Sequence, residues 1–216
     1  MLKPSFSQLV KNSPILPVLH MESTDDAINV SRALYNGGIT SAEIVLRSDV
    51  AFDCITAVSE QVPEMNVGVG TLTTPQQVKD AVNAGAKFLV SPSFTKTLST
   101  AMLDTGLPML PGVVTPSEIT QALELGINEV KFFPAQQYGG ASTIKALSSV
   151  FSNVKFCPTG GVGPHNVAEY FAVKSIFAVG GSWMVPKDLI AIKDWQGITQ
   201  LSTQAINLIS KLDKCA

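Results

Sequence analysis

A single lysine interrupts an apolar segment of the chain, Glu129–Pro134. Alternation along a strand places Lys131 on one face together with Glu129 and Phe133, and the residues between them on the other face. If both faces of that strand are covered, Lys131 is buried, and burial favours the neutral amine over the ammonium. A neutral amine is a nucleophile for carbonyl carbon. The alternative is that the side chain reaches the strand end and pairs with Glu129.

A carboxylate and a guanidinium lie close together in the segment Glu43-Ile44-Val45-Leu46-Arg47. A period of two predicts Glu43, Val45 and Arg47 on one face of a strand. Arg47 is one of only two arginines in the chain, and its planar fork suits a substrate carboxylate. Glu43 is placed to move protons. The alternative is a structural ion pair between the two side chains.

Two glycine-rich turns follow predicted strands near the end of the chain, Pro158-Thr159-Gly160-Gly161-Val162 and Gly180-Gly181-Ser182. Glycines leave backbone N–H groups unshielded, and a short helix after the second turn would direct its positive end to the same place. Such turns bind phosphate in parallel barrels. The alternative is that they serve only as tight turns.

Other strand ends carry residues that fit either a site or an ordinary turn. Gly68-Val69-Gly70-Thr71 places a hydroxyl after one strand, and Ser91-Pro92-Ser93 follows the next. The segment Pro111-Gly112-Val113 is equally open to both interpretations.

Apolar segments alternate with amphipathic ones from Pro14 onward. The predicted strands are Ile15–His20, Ser41–Leu46, Met65–Gly70, Lys87–Ser91, Leu107–Pro111, the segment around Lys131, Val154–Cys157 and Ser175–Val179. Helices are predicted between them, and one or two more over Pro186–Lys211; Thr73-Thr74-Pro75 and Thr115-Pro116-Ser117-Glu118 are predicted to begin two of these helices. About eight repeats of twenty-odd residues, with strands that are apolar throughout, predict an α/β fold of the (β/α)8 barrel type. We expect residues 1–216 to form a single domain.

Composition argues against several functional classes. The net charge is −2 and the 15 lysines and arginines are scattered, so we expect no nucleic-acid partner. No apolar stretch approaches the roughly 20 residues that span a bilayer, and the N-terminus does not resemble a signal peptide, so we expect a cytoplasmic protein that does not enter membranes. Cys54, Cys157 and Cys215 predict neither disulfides nor a metal site, and His20 and His165 are too few for a histidine-ligated metal.

Together these segments resemble the family of 2-keto-3-deoxy-6-phosphogluconate (KDPG) and 4-hydroxy-2-oxoglutarate aldolases, and the similarity covers nearly the whole chain. It is carried by Glu43–Arg47, Gly68–Thr71, Val130–Ala135, Phe156–Gly161 and Gly180–Trp183. The family resemblance implies a Schiff base on Lys131 and acid/base catalysis by Glu43. It further implies the substrate-binding residues Arg47 and Thr71 for the pyruvate carboxylate, Phe133 and Pro92 as apolar walls, Gly160, Gly161, Gly181 and Ser182 for phosphate, and Thr159 for substrate hydroxyls.

The resemblance implies a class I aldolase that needs no cofactor or metal, acts on small phosphorylated 2-keto-3-deoxy sugar acids and forms a homotrimer. The alternatives are an aldolase for the 6-phosphogalactonate epimer, a noncatalytic phosphosugar-binding barrel and a lysine-independent phosphosugar isomerase. One position departs from the family pattern, because His20 stands where many relatives have arginine. His20 is expected either to contribute weakly to anion binding or to fill space.

Overall fold

The computed structural model describes residues 5–213 of the 216-residue chain, an α/β fold with parallel strands. The strands are β1 (Ile15–Leu19), β2 (Ser41–Val45), β3 (Asn66–Gly70), β4 (Leu89–Val90), β5 (Met109–Leu110), β6 (Gly112–Val113), β7 (Glu129–Phe132), β8 (Lys155–Pro158) and β9 (Val179–Gly181). The α-helices are α1 (Phe6–Leu9), α2 (Thr24–Asn36), α3 (Ala51–Gln61), α4 (Pro75–Asn83), α5 (Lys96–Asp104), α6 (Pro116–Glu124), α7 (Gly140–Val150), α8 (Val167–Phe171), α9 (Lys187–Ala191) and α10 (Trp195–Asp213). A 3₁₀ turn covers Gln136–Tyr138.

Hydroxyl side chains fix where several helices begin. Thr74 and Thr115 each start a capping box followed by proline, and both boxes are complete at α4 and α6. Ser23 and Thr95 accept a backbone hydrogen bond at the starts of α2 and α5. These caps satisfy N–H groups that have no partner within the helix, so the strand-to-helix turns lie where the sequence predicts them.

The strands form a parallel, curled sheet in two hydrogen-bonded parts, with the orders β5-β4-β3-β2-β1-β9 and β6-β7-β8. Only Pro111 separates β5 from β6, and a proline cannot donate a ladder hydrogen bond. On one side of this break β5 pairs with β4, and on the other β6 pairs with β7. Isolated parallel bridges join Phe156 to Ile176 and Thr159 to Gly180, between β8 and the segment that ends in β9.

Alternate residues of the strands face two separate apolar clusters. The larger cluster lies between the sheet and the helices and includes Val130 and Phe132 of β7. The smaller cluster, on the opposite face, contains Leu16, Phe88 and Cys157 among others, and no helix except α1 contributes to it. Because Val130 and Phe132 face the helices, Lys131 lies on the inner face.

Glu129, at the start of β7, anchors α1 across the amino ends of the strands. Its carboxylate accepts hydrogen bonds from Ser5 Oγ (2.8 Å), Phe6 N (2.6 Å), Ser7 N (3.2 Å) and Ser7 Oγ (2.5 Å). Phe6 is thereby held edge-on against Phe88, with 5.0 Å between ring centroids. The alternative in which Lys131 pairs with Glu129 is therefore wrong. The Glu129 carboxylate instead binds α1 at the amino ends of the strands.

The last strand begins later than the sequence predicts. We expect a strand over Ser175–Val179, but β9 is Val179–Gly181. Its register with β1 starts at Ile15 and Val179, so residues 175–178 have no β1 residue opposite them. These residues lie beside β8 instead, through the Phe156–Ile176 bridge. An apolar pattern does not show which neighbouring strand each residue pairs with.

Within residues 5–213, no helix is long and apolar enough to cross a membrane. Cys54 and Cys157 are buried free thiols, and Cys215 lies outside the described residues. The same part of the chain holds no group of three histidine, cysteine or acidic side chains that could ligate a metal ion.

Candidate active site

A buried ion pair joins two strands that lie apart in the sheet. Lys131 Nζ on β7 donates to Glu43 Oε1 on β2 at 3.0 Å. Glu43 is fully buried and Lys131 is 6 % exposed. The neighbours of Glu43 along the strand, Ala42 and Ile44, face the helices, so Glu43 faces inward as Lys131 does. The sequence predicts each residue on a buried strand, and the fold brings them together.

The second oxygen of Glu43 has no hydrogen-bond partner among the described residues, although it is buried. Buried carboxylate oxygens are nearly always bonded, so this one is available to water or to a substrate group. Gly70 provides the space beside it, since a Cβ there would lie 3.1 Å from Glu43 Cδ and 3.0 Å from Val45 Cγ1.

The Phe133 ring lies beside the Lys131 amine, and the Pro92 backbone lies beside the neighbouring strand. Lys131 Nζ lies 5.3 Å from the centroid of the Phe133 ring, within cation–π range. Pro92 is half-buried after β4, and Gly112 packs against it so closely that a Cβ would lie 2.3 Å from the Pro92 carbonyl. Gly112 is the strand partner of Lys131, so Pro92 and Lys131 lie on either side of one glycine.

Cys157 is paired with Lys131 across β7 and β8. Burial raises the pKa of its thiol to about 12, although the Lys131 charge and a hydrogen bond with Thr159 act in the opposite direction. Thr159 is buried, and a Cβ on Gly180 would lie 2.2 Å from its hydroxyl oxygen. The Thr159 side chain therefore lies over the Gly180 backbone, between the two glycine-rich turns.

Both glycines after Thr159 have left-handed backbone conformations, with φ of +101° at Gly160 and +74° at Gly161. A Cβ at Gly161 would lie 2.5 Å from Gln136 Cβ, so no larger residue fits there without movement. A Cβ at Gly181 would lie 2.2 Å from the Trp183 ring. Ser182 is exposed and begins a turn that is closed by the Val185 N–H to Ser182 carbonyl hydrogen bond.

The short helix expected after the second glycine turn is α9, which begins at Lys187 within the predicted Pro186–Lys211 region. A turn over Ser182–Val185 lies between the glycines and this helix. Ser182 and Lys187 line the same cleft.

Arg47 lies beyond the end of β2 and is exposed. The period of two does not extend to Arg47, because the strand ends at Val45 and the chain turns there, with Arg47 N bonded to the Val45 carbonyl at 2.8 Å. Val45 and Arg47 nevertheless line the same cleft. Within residues 5–213 the Arg47 guanidinium has no ion-pair partner, so a Glu43–Arg47 pair is also excluded.

Arg47 and Ser182 line the same cleft, whose volume is about 450 Å³. His20 and Lys187 also line it, and sequence reasoning did not identify Lys187. His20 Nε2 lies 3.2 Å from the Arg47 carbonyl oxygen, and Nδ1 lies 3.9 Å from Glu22. His20 therefore contacts the turn that carries Arg47.

Thr71 follows β3 in a left-handed conformation, with φ of +67°. This backbone region is strained for a β-branched residue, and such strain is concentrated at functional sites. Sequence reasoning identified the hydroxyl but could not identify the backbone geometry. It also missed Asn166, a buried residue whose side chain bonds to the glycine turn after β8.

Comparison with known proteins adds an independent observation. Residues 6–201 match the family model described as "Aldolase: KDPG and KHG aldolase". The chain belongs to this family. It is 39% identical to the KHG/KDPG aldolase of Escherichia coli K12 over 204 residues, which are 94% of this chain and 96% of that protein. It is 40% identical to the 2-dehydro-3-deoxy-phosphogluconate aldolase of Treponema pallidum over 195 residues, 90% of this chain and 93% of that protein.

Solved structures of KDPG aldolases have the same fold. The Legionella pneumophila KDPG aldolase, captured with pyruvate as a covalent carbinolamine intermediate, superposes with a TM-score of 0.89 at 39% identity, covering 92% of this chain and 97% of that one. The Zymomonas mobilis ZM4 KDPG aldolase with 3-phosphoglycerate gives 0.85 at 36% identity, covering 92% and 93%. The expected membership of the KDPG and KHG aldolase family, and with it the lyase class, is confirmed.

Proposed function

We propose that this member of the KDPG and KHG aldolase family is a class I aldolase that uses a Schiff base on Lys131. It cleaves KDPG to pyruvate and glyceraldehyde 3-phosphate, and 4-hydroxy-2-oxoglutarate to pyruvate and glyoxylate. The observation that carries the proposal is the 3.0 Å contact between the buried amine of Lys131 and the buried carboxylate of Glu43. A noncatalytic sugar-binding protein or a lysine-independent isomerase does not need this buried pair, and burying it is costly.

The first step forms the covalent intermediate. The hydrogen bond between the two groups lets a proton pass from Lys131 Nζ to Glu43, which leaves a neutral amine. The nitrogen lone pair attacks C2 of the 2-oxo acid, and the carbonyl electrons move to oxygen, which takes a proton to give a carbinolamine. Glu43 then returns its proton to that oxygen, which leaves as water, so that an iminium ion and the Glu43 carboxylate remain. The iminium supplies the electron sink, so the reaction requires neither a metal nor an organic cofactor.

Carbon–carbon cleavage then uses Glu43 as a base. The carboxylate removes the proton of the C4 hydroxyl, and the electrons of that O–H bond form the aldehyde carbonyl. The C3–C4 bond breaks, and its electrons move through C2 to the iminium nitrogen to give an enamine. Proton return to C3 and hydrolysis of the resulting iminium release pyruvate and restore the amine. The unpartnered Glu43 Oε2 supports this role, because it is free to approach the C4 hydroxyl directly or through water.

The pyruvate carboxylate binds Arg47 and the Thr71 hydroxyl in this proposal. The exposed guanidinium of Arg47, which has no ion-pair partner within residues 5–213, lines the cleft of about 450 Å³ and favours this assignment. Phe133 and Pro92 form the apolar walls, which is consistent with the position of the Phe133 ring beside Lys131 Nζ. Apolar walls exclude water and strengthen the electrostatic contacts inside the site.

The phosphate of the substrate binds Gly160, Gly161, Gly181 and Ser182, and Thr159 contacts the sugar hydroxyls. The left-handed conformations of the first two glycines favour this assignment, because successive N–H groups in such turns form anion-binding concavities. Thr159 lies over the backbone between the two glycine turns, where it would meet the carbons that precede the phosphate.

The 6-phosphogalactonate epimer is the alternative substrate. A structure described as "Native KDPGal structure" superposes with a TM-score of 0.83 at 25% identity, covering 93% of this chain and 96% of that one. We propose the gluconate epimer because the KDPG aldolases from Legionella and Zymomonas mobilis ZM4 are 39% and 36% identical to this chain.

We further propose that residues 1–216 form one (β/α)8 barrel domain. The parallel bridges between β8 and the β9 segment support closure, and β5 and β6 act as one strand interrupted at Pro111. As the family resemblance implies, we propose that three chains assemble into a trimer that acts in the cytoplasm on small-molecule substrates.

Steady-state assays with both epimers test the proposed function. Pyruvate release from KDPG, followed by coupling to NADH oxidation with lactate dehydrogenase, should be fast for the wild-type chain and slower for the galactonate epimer. Lys131→Met, which keeps the length of the side chain, should abolish release from either substrate. Undiminished release by this variant would contradict the proposal.

A further inference from the structure

The turn after β8 is fixed through three successive carbonyl oxygens. The Thr159 and Gly160 carbonyls accept hydrogen bonds of 2.8 and 3.0 Å from the backbone N–H groups of residues 135 and 136, respectively. The Gly161 carbonyl accepts a hydrogen bond of 2.9 Å from Asn166 Nδ2. Two of these three anchors come from the backbone that follows the Lys131 strand, and the third is a side chain.

The C=O and N–H groups of a trans peptide unit point in opposite directions. Anchoring the three carbonyls therefore turns the N–H groups of Gly160, Gly161 and Val162 away from their anchors. The Gly160 N–H faces the Gly180 carbonyl through the Thr159–Gly180 bridge, whereas the Gly161 and Val162 N–H groups have no hydrogen-bond acceptor within residues 5–213. Gly161 and Val162 therefore supply two successive unused donors in the turn that is proposed to bind phosphate.

Asn166 also fixes the peptide unit between Val162 and Gly163. Its Oδ1 accepts a hydrogen bond from Gly163 N at 2.9 Å, and its side chain is 7 % exposed. Its Nδ2 further lies 3.4 Å from Gln136 Oε1. These partners determine the orientation of the amide, because the reverse orientation would bring the NH₂ group against the Gly163 N–H and Oδ1 against the Gly161 carbonyl. One amide thus holds the two peptide units on either side of Val162.

We propose that Asn166 is a positioning residue that presents the Val162 N–H as a further backbone donor to the substrate phosphate. This inference rests on the proposed function and adds a residue that determines specificity for phosphorylated substrates. The free N–H groups of Gly161 and Val162 lie on either side of the left-handed Gly161, and successive N–H groups in such turns form concavities that bind anions. The conformation of Gly161 makes the turn possible, and Asn166 selects which way its peptide unit faces.

The test compares a phosphorylated substrate with one that carries no phosphate. Asn166→Leu has a similar size but cannot hold the Gly161 carbonyl, so the Val162 N–H loses its orientation. We expect KM for KDPG to rise about 10- to 100-fold, the effect of losing one hydrogen bond to a charged group. We expect kcat/KM for 4-hydroxy-2-oxoglutarate to stay within about twofold. Equal losses on both substrates would overturn the proposal.

Tyr170→Phe is the matched control, because the Tyr170 hydroxyl donates to Gln136 Oε1 at 3.2 Å in the same network without touching the glycine turn. This variant should change neither substrate's kcat/KM by more than about twofold. A substrate difference as large as that of Asn166→Leu would show that general packing, and not the amide, controls the preference, and would overturn the proposal.

A measurement on the wild-type chain keeps the proposal testable if Asn166→Leu does not fold. Inorganic phosphate titrated into ¹⁵N-labelled protein should shift the backbone amide resonance of Val162 together with those of Gly160 and Gly161. Shifts of the two glycines without Val162 would overturn the inference and leave the proposed function intact. Wild-type protein that does not cleave KDPG would instead overturn the proposed function.

Discussion

At the scale of single residues, the chemistry depends on how Glu43 and Lys131 differ in role. In the proposed mechanism Lys131 supplies the covalent bond, whereas Glu43 only moves protons. Glu43→Gln should therefore still form the adduct with pyruvate but turn over KDPG about two to four orders of magnitude more slowly, the usual contribution of a positioned acid/base group. Steady-state kinetics measure the turnover of KDPG. Mass spectrometry after incubation with pyruvate and reduction with borohydride measures the adduct.

The control for that variant is Glu64→Gln, which makes the same change at an exposed turn. It should leave turnover unchanged. A loss of less than about tenfold in Glu43→Gln would contradict the role of Glu43 as the acid/base group.

Gly161 provides a second residue-scale prediction. Gly161→Leu places a side chain at φ of +74° and against Gln136 Cβ, so the turn must move. We expect kcat/KM for KDPG to fall at least tenfold more than that for 4-hydroxy-2-oxoglutarate, because one hydrogen bond to a charged group is lost or displaced. The comparison of the two substrates in the same assay checks it.

Gly106→Leu is the matched control for the Gly161 variant. Gly106 has φ of +71°, but a Cβ there would meet nothing within 4 Å. This variant carries similar backbone strain away from the site, and its effect on the two substrates should be equal. Equal losses in Gly161→Leu would contradict phosphate binding at this turn.

At the scale of elements, strand β7 carries both the proposed Schiff-base lysine and, at its amino end, the stabilising anchor Glu129. Glu129 binds α1 at the amino ends of the strands, where barrel residues serve stability. Glu129→Gln loses the charge and some of its hydrogen bonds with residues 5–7, and should lower the free energy of unfolding by about 1–3 kcal/mol. Urea denaturation measures this change, and KM for KDPG should not change.

Glu124→Gln, an exposed glutamate at the end of α6, serves as the control. A Glu129→Gln variant that is as stable as this control would show that α1 does not depend on the carboxylate. A change in KM would show that the two ends of the strands are coupled.

Many of the positions of helices and strands could be predicted from the sequence, because helix caps and apolar runs are local signals. The capping boxes at Thr74 and Thr115 and the burial of Lys131 are examples. The partner of Lys131 could not be predicted, since Glu43 is 88 residues away and only the sheet order brings it near. The strand pattern was extended to Arg47, beyond the end of β2 at Val45, because a period of two does not show where a strand ends.

Other misses have the same cause. The α1 helix depends on Glu129, a distant residue, and its four residues carry too little local signal for prediction. Strand β9 is displaced because its register is set by β1. Asn166 is one polar residue in a loop, and nothing in its neighbours along the chain reveals that it bonds to a glycine turn.

At the scale of the whole molecule, burial of Cys157 makes stability depend on alkaline pH. Its pKa rises from an ordinary 9.0 to about 12 in the fold. Below pH 9 the Cys157 thiol is protonated in both the folded and the unfolded state, so its titration does not lower the free energy of unfolding. Between pH 9 and about 12 only the unfolded state loses the proton, so stability falls by about 1.4 kcal/mol per pH unit.

Denaturant unfolding of the wild type and Cys157→Ala at several pH values isolates this effect, because other titrating groups cancel in the difference. The advantage of the wild type should be constant up to about pH 8.5 and should shrink above pH 9. A difference that does not change with pH would contradict the burial of the thiol.

The proposed trimer is a property of the whole molecule that sedimentation equilibrium can measure. We expect a mass of three times the 22.9 kDa chain at micromolar concentration. A single-chain mass would contradict the trimer and would leave the chemistry of Lys131 and Glu43 intact, since both residues belong to the same chain.

The most direct measurement of the central claim is the site of covalent attachment. Wild-type protein is incubated with pyruvate, reduced with borohydride, digested and analysed by mass spectrometry. We predict one reduced pyruvate adduct, located on Lys131. Attachment to another lysine, or no pyruvate-dependent adduct, would contradict the account.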